Sequence, residues 1–306
     1  MEIKSGVNKV TFKAQAFNVN ISGLLFTPEG FDSSQKYPTI LFNEPGLAVK
    51  EMMGSAYGKQ MARRGYVYLC WDRMGFGDSE GPKHKLKVDQ AIEQTRDAIS
   101  YLRTLPFVDR DRLYGAGTCG GSISMVTTAF TDKRIKAVAT ISAVLGAEGW
   151  VYGGMDREAV IELYKSANEA RQKEYETGEV VLYDNMPERD EPFPDGTPVE
   201  VSDGYEYYKT NRCGLGTNYS SLLNLSNNED VFLGGFVRYA DIFYTPYLGI
   251  VGKNSAYYAN TDDFYQNCSE PKELFVVEGA GHVDLYDKEE FITQAADKMD
   301  VFFKKY

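Results

Sequence analysis

Histidine, cysteine and positive charge are all scarce in this chain. Its 306 residues include two histidines and four cysteines, and the formal net charge is −11. The cysteines lie far apart and none forms a C-x-x-C pair, so we expect no structural metal site. An acidic chain without a basic stripe is also unsuited to nucleic acid or to an anionic membrane surface, because phosphate contacts require clustered lysine and arginine.

Long apolar runs are missing as well. No segment approaches the roughly 18 consecutive apolar residues that a membrane-spanning helix requires, and residues 1–7 contain no apolar stretch of signal-peptide length. We therefore expect a soluble, cytoplasmic protein with no membrane partner. Because 43% of the residues are apolar, the chain can bury one large core. A single α/β domain with an insertion is the most economical interpretation.

Short apolar runs alternate with helix-like segments through the first half of the chain. Residues 7–12 and 17–26 alternate between apolar and polar positions, which is typical of half-buried antiparallel strands. Continuous apolar runs of the kind that fill a parallel sheet follow at residues 38–44, 65–72, 112–115 and 136–143. Helical periodicity separates these runs at residues 50–64 and 88–102. The alternation predicts a mainly parallel sheet with helices on both faces.

The composition changes between residues 146 and 241. This segment is rich in tyrosine, acidic residues, asparagine and glycine, and it contains an irregular stretch at 190–198. We interpret it as an inserted cap between two parts of one core, residues 1–145 and 242–306. After the insertion the strand pattern returns at residues 244–252 and 275–278. An amphipathic helix at residues 288–305 closes the chain.

A glycine-rich turn at residues 117–121 is the most informative local feature. The sequence Gly-Thr-Cys-Gly-Gly lies between a short apolar strand and a helix-compatible segment. A sharp strand-to-helix turn requires small residues two positions before and two after its central residue, because a Cβ atom there would clash, and Gly117 and Gly121 meet that requirement. The turn lifts the side chain of Cys119 above the sheet and aims the first N–H groups of the helix at a substrate carbonyl. We predict that Cys119 is a nucleophile; a tight packing corner is the alternative.

A histidine follows the last predicted strand. Residues 274–283 form a buried-strand pattern that breaks at glycines and presents His282 at its carboxyl end. A nucleophile that precedes its histidine along the chain, each at the end of a strand, is the order found in one large class of hydrolytic enzymes. His282 is therefore the predicted general base.

Three segments together carry a resemblance to a known family: residues 71–79, 117–121 and 279–287. The chain resembles the α/β-hydrolase superfamily, and within it the dienelactone-hydrolase-like branch, whose nucleophile is cysteine. The resemblance covers most of residues 7–145 and 240–305. It implies an α/β-hydrolase fold with a mainly parallel central sheet, helices on both faces and an inserted cap segment. The chain also resembles fungal polyketide transferases and thiohydrolases.

The loop after the third strand supplies further candidates. Dienelactone hydrolases have a glutamate at what looks like the position of Glu44, near the catalytic cysteine, so the resemblance implies that Glu44 modulates the thiol. An ordinary loop glutamate held by backbone N–H groups is the alternative. Since Pro45 has no N–H, the donor from this loop must be Gly46 or Leu47. Paired with the N–H of Gly120, that donor would form an oxyanion hole.

The acid that usually orients the histidine in this superfamily is missing from its expected place. No carboxylate occurs directly after residues 248–251. Asn254, Asp262 and Asp241 remain alternatives for this role. A thiol is acidic enough to function with histidine alone, so a Cys–His dyad is also compatible with the pattern.

Aromatic residues in and beside the insertion are the predicted substrate-binding residues. The chain has 22 tyrosines, and a tyrosine ring offers an apolar face with a polar tip. The candidates for a pocket roof are Trp150, Tyr152, Tyr207, Tyr208, Phe236, Tyr257 and Tyr258. The same residues would also suit a subunit interface, so a homodimer is compatible with the sequence.

These observations predict an enzyme that cleaves a carboxylic ester, lactone or thioester. The thiol of Cys119 would attack a carbonyl of a small-molecule substrate, His282 would accept the thiol proton, and no cofactor would be required. Two alternatives remain at this stage. One is an acyltransferase that passes the acyl group to an acceptor other than water, and the other is a non-catalytic binding protein on a degenerate hydrolase fold.

Overall fold

An eight-stranded sheet forms the centre of the molecule. The computed structural model describes residues 2–145, 156–234 and 236–306, with side chains undescribed at 230–238. The strand order is β1-β2-β4-β3-β5-β6-β9-β10. The β1–β2 and β2–β4 pairs are antiparallel and the other pairs are parallel, so the predicted α/β architecture is confirmed. These eight strands are β1 (Gly6–Ala14), β2 (Val19–Thr27), β3 (Tyr37–Asn43), β4 (Val67–Trp71), β5 (Val108–Thr118), β6 (Val138–Ile141), β9 (Tyr247–Gly252) and β10 (Lys272–Val277).

Burial along each strand follows from its place in the sheet. In the edge strand β1, buried Val10, Phe12 and Ala14 alternate with more exposed residues. In the central strand β4 every residue is buried. Its alternate side chains enter two separate apolar clusters, with Tyr68 and Cys70 on one face of the sheet and the intervening residues on the other. Helices therefore cover both faces, as the continuous apolar runs predict.

Helices connect the strands and close the core. Helices α1 and α8 pack on one face of the sheet, while α2 and α3 pack on the opposite face. None of the helices in the described residues is long and apolar enough to cross a bilayer. The helices of the core are α1 (Met53–Arg63), α2 (Val88–Leu102), α3 (Gly121–Thr131), α6 (Tyr258–Asn267), α7 (Asp284–Asp287) and α8 (Glu289–Phe303). Two 3-10 segments, Leu225–Gly234 and Phe236–Ile242, precede β9, and a third, Gln15–Phe17, joins β1 to β2.

The inserted segment contains more regular structure than its composition suggests. Its first helix, α4 (Arg157–Thr177), begins where the carboxylate of Asp156 accepts the N–H of Ala159 at 2.8 Å, and it ends at Gly178 in the left-handed conformation. A second helix, α5 (Val199–Lys209), and a two-stranded antiparallel ribbon, β7 (Leu182–Asp184) with β8 (Leu222–Asn224), follow. Residues 190–198 are irregular, as predicted.

Candidate active site

Cys119 lies in the turn between β5 and α3, and its backbone is strained. β5 ends at Thr118 and α3 begins at Gly121. The φ angle of Cys119 is 49°, in the left-handed region that residues with a side chain rarely adopt. Its N–H donates to the carbonyl of Ile141 at 3.2 Å, which fixes the turn against β6. The cysteine is thus held at the carboxyl edge of the parallel strands, where ligands bind in folds of this kind.

The glycines on either side of the cysteine are required by close backbone contacts. A Cβ atom on Gly117 would lie 2.8 Å from the carbonyl oxygen of Gly121. A Cβ on Gly121 would lie 2.3 Å from the carbonyl oxygen of Glu44 and 2.4 Å from that of Asn43. Backbone atoms cannot move away as a flexible side chain can. The predicted need for glycine at both positions is therefore confirmed.

Two backbone N–H groups and one guanidinium lie around the sulfur of Cys119. Burial raises the thiol pKa, while the N–H groups of Gly46 and Gly120 and the charge of Arg73 favour the thiolate and oppose that shift in part. Arg73 also fixes the loop, since its guanidinium donates to the carbonyl of Glu44 at 2.8 Å and to that of Gly46 at 3.4 Å. Two of the three predicted oxyanion donors, Gly46 and Gly120, thus have their N–H groups directed at the sulfur.

The imidazole of His282 is buried in the turn between β10 and α7. The Ser142 hydroxyl donates to the backbone carbonyl of His282 at 2.9 Å and fixes this turn. Only 6% of His282 is exposed. Its Nε2 atom is hydrogen-bonded to the hydroxyl of Tyr286 at 2.9 Å, and the ring of Tyr257 lies against the imidazole with centroids 4.8 Å apart. Cys119 and His282 line the same cleft.

A serine, rather than any predicted residue, lies beside the other nitrogen of this histidine. Nδ1 of His282 faces the hydroxyl of Ser255 at 3.4 Å. Asn254 is exposed, because its N–H pairs with the carbonyl of Ala280 and the chain turns its side chain away from the cleft. The carboxylate of Asp262 accepts a hydrogen bond from Gln266 on the surface of α6.

The third candidate, Asp241, also lies away from the histidine. Asp241 is exposed in the 3-10 segment before β9, where its carbonyl accepts a hydrogen bond from Ser269. Within the part of the chain that the structure describes, no carboxylate is hydrogen-bonded to His282. The prediction that Asn254, Asp262 or Asp241 orients the histidine is therefore wrong, and the arrangement is a Cys–His pair with a serine beside the imidazole.

Both groups of this pair are neutral in the resting protein. Burial raises the pKa of the Cys119 thiol despite the opposing contributions of its neighbours. Burial also lowers the pKa of His282 to about 4. At neutral pH the protein therefore holds a thiol and an uncharged imidazole. Charge must develop during a reaction, when a substrate has displaced water from the cleft.

The side chain of Glu44 is buried and held by the first turn of α1. It is 1% exposed, and its Oε2 atom accepts the N–H of Gly54 at the start of α1 at 3.1 Å. Burial raises the pKa of this carboxyl well above its usual range. The Cys119 thiol is not among the hydrogen-bond partners of this carboxyl, whose Oε1 atom is buried with no partner in the described residues. This arrangement agrees with the alternative interpretation, in which Glu44 is held by a backbone N–H.

The cleft above Cys119 has a volume of about 390 Å³. The core contributes Gly46, Leu47, Tyr257, Val283 and Tyr286 to its walls, along with the Cys–His pair. The opposite wall is supplied by the insertion: Asn185, Met186, Pro187, Arg189, Phe193, Glu200, Val201, Gly204, Tyr205 and Tyr208. The cleft is thus lined mainly by apolar and aromatic side chains from both parts of the chain.

The predicted aromatic residues fall into three groups. Tyr208 and Tyr257 line the cleft. Tyr207 does not, because adjacent positions of helix α5 face different sides; it is fully buried, with its ring 5.2 Å from that of Tyr286. The ring of Tyr258 lies outside the cleft beneath the ammonium group of Lys253, 5.5 Å away. The predictions for Tyr207 and Tyr258 are therefore wrong. The remaining predictions, for Trp150, Tyr152 and the Phe236 side chain, lie outside the described residues.

Four residues of the site were not predicted from the sequence: Ser142, Ser255, Tyr286 and Arg73. Tyr286 lies four residues after His282, a spacing that brings side chains together when a helix follows. Arg73 lies within the segment that carries the family resemblance. The other two give no local signal, because their contacts with His282 join distant parts of the chain. In the described residues, no group of three or more histidine, cysteine or acidic side chains is placed to hold a metal ion.

This chain is similar in sequence and in fold to several known proteins. No family model matches it. The uncharacterized protein YcjY of Escherichia coli (strain K12) is 29% identical over 308 residues, which cover 97% of this chain and 98% of YcjY. The hypothetical protein PA2218 of Pseudomonas aeruginosa is 29% identical over 92% of this chain and 76% of its own. The crystal structure of PA2218 superposes with a TM-score of 0.88 and 26% identity, covering 100% of this chain and 95% of that one.

A fungal protein of stated activity is also similar over most of its length. The polyketide transferase grgF of Penicillium sp is 26% identical over 275 residues, or 86% of this chain and 87% of grgF. The crystal structure of this α/β hydrolase superposes with a TM-score of 0.81, 19% identity and 98% coverage of both chains. Together with the sheet order and the strand-to-helix turn at Cys119, these similarities establish that the chain has the α/β-hydrolase fold.

Proposed function

We propose that this protein cleaves a carboxylic ester, lactone or thioester of a small molecule through an acyl-enzyme on Cys119. One observation carries the proposal: the Cys119 thiol lies in a strained turn, accepts the N–H groups of Gly46 and Gly120, and lines the same cleft as the buried imidazole of His282. Such a turn is kept at an energetic cost, which is typical of functional sites. A nucleophile, a base and two oxyanion donors are the groups that acyl transfer needs.

The reaction would proceed in two halves. The thiol proton passes to His282 as the sulfur bonds to the substrate carbonyl carbon, and the carbonyl oxygen becomes an oxyanion held by the two N–H groups. Collapse of this intermediate breaks the bond to the alcohol or thiol, which leaves with the proton from His282. Water then gives a proton to the same histidine and attacks the acyl carbon, releasing the acid and restoring the thiol. Amides are poorer substrates, because the thiolate is expelled more readily than an amine.

Acyl transfer is the second candidate, and one observation favours it. The polyketide transferase grgF is similar to this chain over most of both sequences. Transfer uses the same acyl-enzyme and differs only in the group that attacks it. A cleft lined largely by apolar side chains favours an organic acceptor over water when that acceptor is bound.

The test is to trap the acyl-enzyme. Wild-type protein mixed with p-nitrophenyl butyrate and quenched in acid should gain the mass of one butyryl group, mapped by peptide analysis to Cys119. Cys119→Ala should lose the adduct and at least about 99% of turnover, because the nucleophile contributes several orders of magnitude. Cys213→Ala is the matched control, since Cys213 is the other partly exposed thiol and does not line the cleft. Turnover that survives in Cys119→Ala would refute the assignment.

Product analysis separates hydrolysis from transfer. Free butyrate should form at a rate independent of added alcohols, amines or thiols if water is the natural acceptor. Conjugates that increase with acceptor concentration, at the expense of butyrate, would favour a transferase.

A further inference from the structure

Tyr286 lines the same cleft as the two groups of the proposed Cys–His pair. Its hydroxyl is 2.9 Å from Nε2 of His282, and the same hydroxyl stabilises the thiolate form of Cys119. In the described residues no direct hydrogen bond joins the thiol to the imidazole; the nitrogen that would take the thiol proton is already paired with this hydroxyl. Because the Tyr286 hydroxyl interacts with both groups, it is placed to pass a proton from Cys119 to His282.

The surroundings hold Tyr286 in this position. The residue is 2% exposed, and its N–H donates to the carbonyl of Val283 at 2.9 Å in the first turn of α7. The ring of Tyr207 packs edge-on against it, with centroids 5.2 Å apart. Behind it lies a second cavity of about 160 Å³ that Cys213 also lines. The ring of Tyr286 thus separates this cavity from the cleft, and only its hydroxyl takes part in the site.

We propose that the hydroxyl of Tyr286 relays the proton from Cys119 to His282 during acylation. This inference rests on the proposed function. In the step, the Sγ–H bond breaks and its proton bonds to Oη of Tyr286, while the Oη–H bond breaks and that proton bonds to Nε2. The sulfur electron pair forms the bond to the substrate carbonyl carbon. Tyr286 is neutral before and after, so one hydroxyl proton has replaced another and no further reactant is needed.

The tautomer of His282 fits this direction of transfer. When the Tyr286 hydroxyl donates to Nε2, the ring proton is on Nδ1, which faces the oxygen of Ser255 at 3.4 Å. Burial raises the pKa of Tyr286 well above its usual range, so a free tyrosinate is disfavoured and the two protons must move together. Among the residues that the structure describes, no carboxylate is hydrogen-bonded to Nδ1, where it would stabilise a resting imidazolium. A hydroxyl relay keeps both groups neutral until the carbonyl is bound.

A different role for the same contact would have the opposite consequence. If Tyr286 merely blocked the pair, it would have to rotate away before Cys119 met His282. Removing the hydroxyl would then accelerate acylation, whereas removing a relay slows it.

The variant Tyr286→Phe distinguishes a proton relay from a block, because it keeps the ring and removes the hydroxyl. We expect kcat/KM for p-nitrophenyl butyrate to fall about a hundredfold, with KM within about threefold of wild type, as for the loss of one proton-transfer group. Between pH 6 and 8 the variant should gain about tenfold in rate per pH unit, since its thiolate must form by loss of the proton to solvent. Wild type should be level over this range. Tyr207→Phe is the matched control: it removes a neighbouring buried hydroxyl outside the cleft and should leave activity within about threefold.

Alkylation of Cys119 by iodoacetamide gives a readout that needs no ester turnover. Wild type should react at a rate level between pH 6 and 8, and Tyr286→Phe at a rate that rises with pH. Equal or faster acylation and alkylation in Tyr286→Phe would overturn the relay. The acyl-enzyme proposal fails separately, if wild type forms no adduct on Cys119 or Cys119→Ala retains turnover, and the alkylation profiles still decide the relay in that case.

Discussion

His282 is the residue whose ionisation should govern the pH dependence of activity. Burial lowers its pKa to about 4 from an ordinary value of 6.5. A general base works only when unprotonated, so kcat/KM should stay level from neutral pH down to about pH 5 and fall near pH 4. The thiol pKa is raised, so no thiolate forms over this range to alter the slope. Initial rates on a soluble butyrate ester across this pH range provide the measurement. An acid limb near pH 6.5 would indicate a solvated imidazole and contradict the buried geometry.

The same shift should appear in stability, which serves as a control independent of catalysis. The unfolded chain binds a proton at His282 near pH 6.5, while the folded chain resists it until about pH 4. Folding stability from this residue is therefore complete above pH 6.5 and is lost as the pH falls to 4, by about 3 kcal/mol at most. Urea unfolding at pH 7 and pH 4 should show a loss of stability that is larger by about this amount in wild type than in His282→Gln.

At the scale of elements, the junction of β5 with α3 depends on how closely α3 approaches β3. A methyl group on Gly121 would stand 2.3 Å from the carbonyl oxygen of Glu44, whereas a methyl group on Gly120 would meet nothing closer than 3.8 Å. Gly121→Ala should therefore lower the free energy of unfolding by at least about 2 kcal/mol, because backbone must move. Gly120→Ala should cost less than about 1 kcal/mol, since its φ of −61° suits alanine. If urea denaturation showed equal losses in the free energy of unfolding for the two variants, the close contact between Gly121 and Glu44 would not be the reason for the glycine.

Elements and their order could be predicted from sequence, while side-chain direction could not. Continuous apolar runs identify β4 and β9 because a parallel strand covered on both faces is buried at every position. The turn at Cys119 is predictable because a sharp strand-to-helix turn requires glycine at nearby positions in the sequence, where a Cβ atom would clash. Asn254 and Ser255 are adjacent in sequence, yet only Ser255 contacts His282. The reason is that the backbone N–H of Asn254 donates to the carbonyl of Ala280, in the loop after β10, and this bond fixes the turn after β9. A contact between residues this far apart in the chain leaves no recognisable pattern in the local sequence.

At the scale of the whole molecule, the cleft is formed where the insertion meets the core, and Gly204 controls its width. Gly204 lies in α5 and lines the cleft. A Cβ atom there would meet only the terminal methyl group of Met186 at 3.9 Å, so the space beyond it is open. Gly204→Leu should fill part of the 390 Å³ without disturbing the helix, because leucine favours helix more than glycine does, by up to about 1 kcal/mol.

The consequence should be a change in substrate range without a change in the reactivity of the thiol. For Gly204→Leu we expect kcat/KM on p-nitrophenyl octanoate to fall by at least about tenfold, since each methylene that no longer fits forfeits about 0.8 kcal/mol of burial. The acetate ester and the rate of Cys119 alkylation should stay within about threefold of wild type, because a two-carbon acyl group and iodoacetamide need only the floor of the cleft. Gly204→Ala is the matched control and should retain both activities. If the leucine variant handled all chain lengths like wild type, the acyl group would have to lie elsewhere than beneath α5, and the insertion would not set substrate length.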